Sequence, residues 1–199
     1  MKSIWNQRFS ESDYAYGREP NQFLKEVLQN INSGKILFPA EGEGRNAVFA
    51  ASLGWEVDAL DFCEAGKVKA EKLAGEQNVK VNYWLEDLFD YIPKPNYYDV
   101  IALIYMHLDD KDLQSNMHKK AIKALKPGGK IIIEAFEKEQ IKYNSGGPKN
   151  EELLFSLEDI VDDFIDIDFE FLSKETIILN EGKYHRGIAS VVRFIGLKI

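Results

Sequence analysis

The sequence predicts an α/β fold, a doubly wound sheet with helices on both faces. Three observations carry this. Short apolar runs suited to buried strands alternate with stretches of helical periodicity through most of the 199 residues. Lys35 to Asp61 holds a complete strand–turn–helix–strand unit, with glycines in the turn and an acid at the end of its second strand. The last third then becomes strand-rich around a hairpin signal, Asn180-Glu181-Gly182-Lys183. The length suits a single domain over residues 1–199.

Met1 to Gln22 mixes Trp5, Phe9, Tyr14 and Tyr16 with turn residues such as Asp13, Gly17 and Pro20. Such a segment cannot bury a core alone, and its aromatics supply docking area. It is expected to be a lid, the alternative being an arm on the sheet edge. Arg8 and Arg18 within it are candidates for an anion or carboxylate in a pocket, or plain surface cations. Phe23 to Ile31 carries a helical apolar face with Asn21 as N-cap. A strand is expected at Lys35–Pro39, a turn at Ala40–Asn46, a helix at Ala47–Leu53 and a strand at Trp55–Leu60. A helix over Ala65–Gly75 and a strand over Val79–Leu85 follow, the latter with period-two alternation.

Tyr97–Tyr105 reads as a strand buried on both faces. Asp109–Leu125 reads as a helix, Lys126-Pro127-Gly128-Gly129-Lys130 as a tight turn, and Lys130–Phe136 as the fifth strand. Glu137–Asn150 is polar and is expected to be a loop. Ser156–Phe164 is a helix with Ser156 and Asp159 at capping positions. Strands at Ile165–Leu179 and Tyr184–Ile199 close the chain.

The Lys35–Asp61 unit is the arrangement of a nucleoside site. Gly42 and Gly44 admit a ligand to the backbone. The helix start around Asn46 offers free N–H groups. Asp61, beside Phe62, is positioned to accept from two ribose hydroxyls. The turn also carries Glu41 and Glu43, which repel a pyrophosphate and attract a cation. S-adenosylmethionine (SAM), with a sulfonium, an ammonium and no phosphate, fits that charge better than NAD. Asp87 after the third strand suits the adenine amine, and the backbone N–H of Leu88 suits a ring nitrogen.

EGEGRNAVFAASLGWEVDALD resembles the first motif of class I SAM-dependent methyltransferases. Leu85-Glu86-Asp87-Leu88 and Leu125-Lys126-Pro127-Gly128-Gly129-Lys130 follow in that family's order, and the likeness spans roughly Gly34 to Ile199. In place of the family's strand acid and first glycine stand Phe38 and Ala40. This Phe-Pro entry is closer to the thiopurine and tellurite-resistance branch, which methylates soft nucleophiles. The resemblance implies seven strands with the last antiparallel, SAM as cofactor, and a lid that shapes a substrate pocket from Trp5, Arg8, Tyr14, Tyr16 and Arg18. It places Tyr105 at the strand end facing the methyl group. His107 and His185 are the candidate bases, needed only for a hydroxyl or amine acceptor, and each is otherwise a packing or turn residue. Glu41 is the candidate for the methionine ammonium. An NAD(P)-dependent oxidoreductase and a non-catalytic SAM-binding protein are the competing readings.

Net charge is −8, which argues against nucleic acid or an acidic membrane surface as partner. Cys63 is the single cysteine, so no internal disulfide forms. No metal-binding motif appears, and no apolar run approaches the roughly 20 residues of a membrane span. A cytoplasmic protein acting on a small molecule is expected, with its oligomeric state open.

Overall fold

The computed structural model describes residues 2–199. Seven strands form one sheet in the order β3-β2-β1-β4-β5-β7-β6. They are β1 (Lys35–Pro39), β2 (Glu56–Asp61), β3 (Asn82–Leu85), β4 (Tyr98–Ile104), β5 (Leu125–Phe136), β6 (Asp168–Glu181) and β7 (His185–Leu197). β7 runs antiparallel to β5 from Lys130↔Leu197 to Phe136↔Val191, as the resemblance implies. The helices are α1 (Lys2–Phe9), α2 (Gln22–Leu28), α3 (Arg45–Ser52), α4 (Glu64–Glu76), α5 (Lys111–Ala124) and α6 (Leu157–Asp163).

The helix starts follow local chemistry. Asn21 accepts from the Leu24 N–H at 3.0 Å and starts α2. Asp110 does the same for α5 through Leu113, at 2.8 Å. Ser156 and Asp159 form a reciprocal capping box at α6.

The chain forms two compact units. The first holds the residues up to Tyr91 together with Glu181–Tyr184. Its strand β1, KILFP, is buried at every position, with Lys35 paired to Glu56 and Asp58, beside parallel β2. Val48, Leu73 and Ala74 join α3 to α4, and Tyr14, Val79 and Val81 pack on them. The second unit holds Ile92–Asn180 and His185–Ile199. Its core includes Ile101, Leu103, Ile131, Ile132, Ile133, Val191, Val192 and Phe194, all nearly inaccessible. The edge strand β6 is exposed along most of its length.

Several elements differ from expectation. Residues 2–9 form a helix where only a docking segment is expected. Helix α3 starts at Arg45, two residues early, because Glu41 caps it from inside the turn. The third strand keeps only Asn82–Leu85, since Val79 and Val81 pack on the helices. The Pro127-Gly128 segment is absorbed into β5, and the register with β4 shifts between Tyr98 and Val100 to accommodate it. The polar stretch after β5 contains a 3-10 turn at Lys138–Lys142, and a second follows at Glu151–Leu153.

Candidate functional site

In the first unit the site is built on the turn after β1. Ala40 takes φ +54°, a left-handed conformation at the position where the resembling family has glycine. Gly42 and Gly44 follow at +64° and +86°. A Cβ on Gly44 would lie 2.4 Å from the Cβ of Ala70, so only glycine lets the α3 start meet α4. A Cβ on Gly42 would lie 2.8 Å from the Phe9 ring.

The turn is held from three sides. The Gly42 N–H donates to Asp61 Oδ2 at 3.1 Å, and the Cys63 N–H donates to Asp61 Oδ1 at 2.9 Å. The Gly42 carbonyl accepts from the Tyr83 hydroxyl at 2.6 Å. Glu41 Oε1 accepts from the N–H groups of Asn46 and Ala47 at 2.9 and 2.7 Å. These N–H groups otherwise lack intrahelical partners, and the helix dipole favours a carboxylate there.

Burial pushes the Asp61 carboxyl up to about 6, against backbone N–H bonds from Cys63, Gly42 and Phe62. Burial also pushes Glu41 up to about 7, against the Ala47 and Asn46 bonds and the Arg45 charge. Neither carboxylate has an ion-pair partner among the described residues. Glu43 differs: its two oxygens accept from Lys69 Nζ at 2.6 Å and the Ala15 N–H at 2.7 Å. A buried and a half-buried carboxylate without a cation of their own suit a ligand that brings ribose hydroxyls and positive charge, and SAM has both.

The N-terminal segment is fastened to this turn. Arg45 Nη1 donates to the carbonyls of Tyr16 and Glu19, and the Asn21 N–H donates to Asn46 Oδ1 at 2.9 Å. Asn46 thus uses its backbone N–H on Glu41 and its side chain on the segment. Phe9, Ala15 and Cys63 form a buried cluster, with Trp5, Tyr16, Phe62 and Tyr184 packed on it. Arg8 lies within the same aromatic group, 4.2 Å from the Tyr184 ring centre.

The remaining expected residues of this unit make contacts of their own. The Tyr14 hydroxyl donates to the Lys69 carbonyl on α4, and Arg18 pairs with Glu76 while lying over the Tyr14 ring. A cleft of about 410 Å³ runs along α3 from Arg45 past Val48 to Ser52, beside Arg18 and Leu73. Asp87 closes its own turn. Its Oδ1 accepts from the Phe89 N–H and its carbonyl from those of Asp90 and Tyr91, with Leu88 buried. Tyr83 and the pairing of Glu43 with Lys69 are what sequence reasoning missed. Tyr83 is read there only as an inward strand position, although a buried phenol demands a hydrogen-bond partner.

In the second unit Tyr105 follows β4 at φ +52°. Its N–H donates to the Glu134 carbonyl at 2.7 Å and its hydroxyl to Glu134 Oε1 at 2.7 Å. Glu134, 1% exposed, also accepts from Arg193 Nε at 2.6 Å, and Arg193 reaches Glu175. The His185 ring is buried edge-on to Tyr105 and Phe136, with centroids 4.7 and 5.3 Å away. His107 stacks on Phe136. Its Nδ1 donates to the Leu153 carbonyl at 3.0 Å, and its Nε2 accepts from the Phe136 N–H at 3.2 Å. Burial lowers its pKa to about 4, opposed by the Leu153 bond and reinforced by nearby His185. His107 is therefore a neutral imidazole with both ring nitrogens in hydrogen bonds to the backbone.

The sheet with its antiparallel β7, the glycine turn and the buried acid after β2 are the features that the resemblance to class I SAM-dependent methyltransferases implies. Residues 36–129 match the family described as Methyltransferase domain. An N-terminal Xaa-Pro-Lys N-methyltransferase 1 from Ailuropoda melanoleuca is 36% identical over 116 residues, covering 56% of this chain and 52% of that protein. The Homo sapiens protein of that name is 35% identical over 116 residues, with the same coverage. The chain thus spans about half the length of the curated relatives it matches. Among solved structures, TehB from Haemophilus influenzae superposes with a TM-score of 0.75 at 18% identity, covering 90% of this chain and 62% of that one. At these identities the structural likeness shows the fold. No helix among the described residues is long and apolar enough to cross a membrane.

Proposed function

We propose that the protein transfers a methyl group from SAM to a small-molecule acceptor, with a soft nucleophile such as a thiol or metalloid favoured. The observation that carries this reading is the pair of carboxylates, buried Asp61 and half-buried Glu41, gathered on the Gly42 turn without an ion pair among the described residues. In it Asp61 takes the ribose hydroxyls, Glu41 and the Gly42 turn take the amino-acid end, and Asp87 with the Leu88 N–H takes adenine. When bound, SAM supplies a methyl group already activated on a sulfonium. The chain then has to bind, orient and exclude water, and Phe9 and Phe62 supply apolar cover beside the turn. A thiolate or metalloid needs no general base, which agrees with the commitment of both His107 nitrogens. Tyr105 and His185 are proposed to face the acceptor.

A second reading is favoured by the curated relatives, whose name specifies N-terminal Xaa-Pro-Lys N-methylation. In it the acceptor is the terminal amine of a peptide, and His185 is the candidate base.

The test begins with calorimetric titration of S-adenosylhomocysteine, with NADH as control. Binding of the first alone supports the cofactor assignment, while binding of NADH moves the protein to the oxidoreductase reading. Methyl transfer from labelled SAM is then compared for a small thiol, tellurite and a peptide beginning Ala-Pro-Lys. Turnover of the peptide alone would replace the small-molecule reading with the second one.

A further inference from the structure

We propose that Arg8 is the oxyanion receptor of this site, presented by α1 to a ligand carboxylate and oriented by Trp5, Tyr16 and Tyr184. The proposal rests on the methyltransferase reading and adds to it the residue that takes the ligand's negative end.

Arg18, Arg45 and Arg193 each pair with a carboxylate. Arg8 pairs with none among the described residues, in a chain with 33 acidic residues against 25 basic ones. The acid three positions on, Glu11, is diverted to Lys183 Nζ and the Tyr184 hydroxyl. The Arg8 guanidinium instead lies 4.2, 5.1 and 5.9 Å from the ring centres of Tyr184, Trp5 and Tyr16. Aromatic faces compensate a cation for lost water without neutralising it. They also leave the in-plane N–H groups unused. Arg8 has five such donors, and Nη1 goes to the Tyr16 hydroxyl.

The location matches the need. Phe9, the next residue, lies against Gly42 and Gly66. The turn there presents Glu41 and Asp61, which attract the positive groups of SAM and repel its carboxylate. A zwitterionic amino-acid tail therefore requires a cation from another element, and α1 supplies one in the planar form that grips a carboxylate. The same chemistry serves a carboxylate on the acceptor, and two arms of one experiment separate the sources.

Wild type and Arg8→Met are titrated with S-adenosylhomocysteine and with methylthioadenosine, which lacks the amino-acid tail. Arg8→Met is expected to weaken the first by about tenfold to a hundredfold, the size of a lost charge-assisted bond, and to leave methylthioadenosine unchanged. Arg8→Lys is expected to fall between. If S-adenosylhomocysteine is unaffected, benzoate is added to the saturated complex, and a melting-temperature rise in wild type that Arg8→Met lacks assigns the carboxylate to the acceptor. Equal weakening of both nucleosides makes Arg8 a strut of the segment and overturns the proposal, as does a variant indistinguishable from wild type in every arm. Failure of wild type to bind either nucleoside overturns the methyltransferase reading and this one with it, a result distinct from a bound wild type with an indifferent variant.

Discussion

Asp61 accepts from two backbone N–H groups, so it shapes the turn as well as any ligand held there. Asp61→Ala is expected to weaken S-adenosylhomocysteine binding by roughly 1.5–3 kcal/mol, the value of a hydrogen bond to a charged group. Calorimetry at fixed pH measures it, and an unchanged affinity in a folded variant would remove the ribose from Asp61. The pH dependence follows from the same residues. Both carboxyls are raised, Asp61 from 3.8 to about 6 and Glu41 from 4.5 to about 7. Between the unfolded and folded values the native state holds more protons than the unfolded chain, so these groups make stability fall as pH rises from about 4 to 7. A bound cation favours the ionised carboxylates, so affinity for SAM is expected to rise from pH 6 to pH 8. Equal affinity at both would show that neither carboxylate senses the ligand charge. His107 tests the opposite role. His107→Ala strands the Phe136 N–H and the Leu153 carbonyl, and about 1–3 kcal/mol of stability should be lost in denaturant titration. The pH profile of kcat should keep its shape. A lost pH limb in that variant would return His107 to catalysis.

At the level of elements, the site depends on how closely the start of α3 meets α4. Gly44→Ala puts a methyl 2.4 Å from Ala70 at a position of φ +86°, so helix displacement and strain act together. A melting temperature lowered by several degrees is expected, with cofactor affinity falling alongside it. A variant that melts like wild type would show that the contact yields easily. This close packing was partly legible beforehand. The strand–turn–helix–strand order, the Asn21 cap and the Ser156–Asp159 box follow from local periodicity and capping chemistry, which act within a few residues. Helix α1 was not legible, because Ile4, Trp5 and Phe9 form no simple apolar stripe and the segment packs on a turn more than 30 residues away. The shortened β3 has a similar cause: alternation at Val79 and Val81 reports burial, and helices bury them as well as a sheet does. For the candidate site, the turn acids stand out in the sequence by type. Their different fates do not, since Glu43 takes Lys69 while Glu41 takes backbone N–H groups.

For the whole chain, the connection that defines the first unit is Arg45 to Glu181, 136 residues apart. Arg45 Nη2 reaches Glu181 Oε2 at 2.9 Å, with side chains 8% and 15% exposed. The other face of the bond is the N-terminal segment, where Ala15 accepts from the N–H groups of Lys183 and Tyr184. Gly182 sits so close to Gly17 that an added Cβ would lie 2.3 Å from its nitrogen. The β6–β7 turn is therefore packed with the segment that carries Arg8, and the Arg45–Glu181 pair ties it to the glycine turn. Arg45→Met leaves Glu181 without its buried partner and releases the Tyr16 and Glu19 carbonyls. About 3–5 kcal/mol of stability should be lost, as when one half of a buried pair is removed. Glu181→Leu alone should also destabilise. The double variant should be more stable than the sum of the singles implies, because no uncompensated charge remains. A double-mutant cycle by denaturant unfolding measures the coupling. Strict additivity would mean that backbone contacts of Ala15 and Gly182 hold the turn without the ion pair, and cofactor affinity should then survive Arg45→Met. Strong coupling predicts that affinity falls in Arg45→Met and recovers in the double variant, since the turn, the segment and Arg8 are then secured by one buried pair.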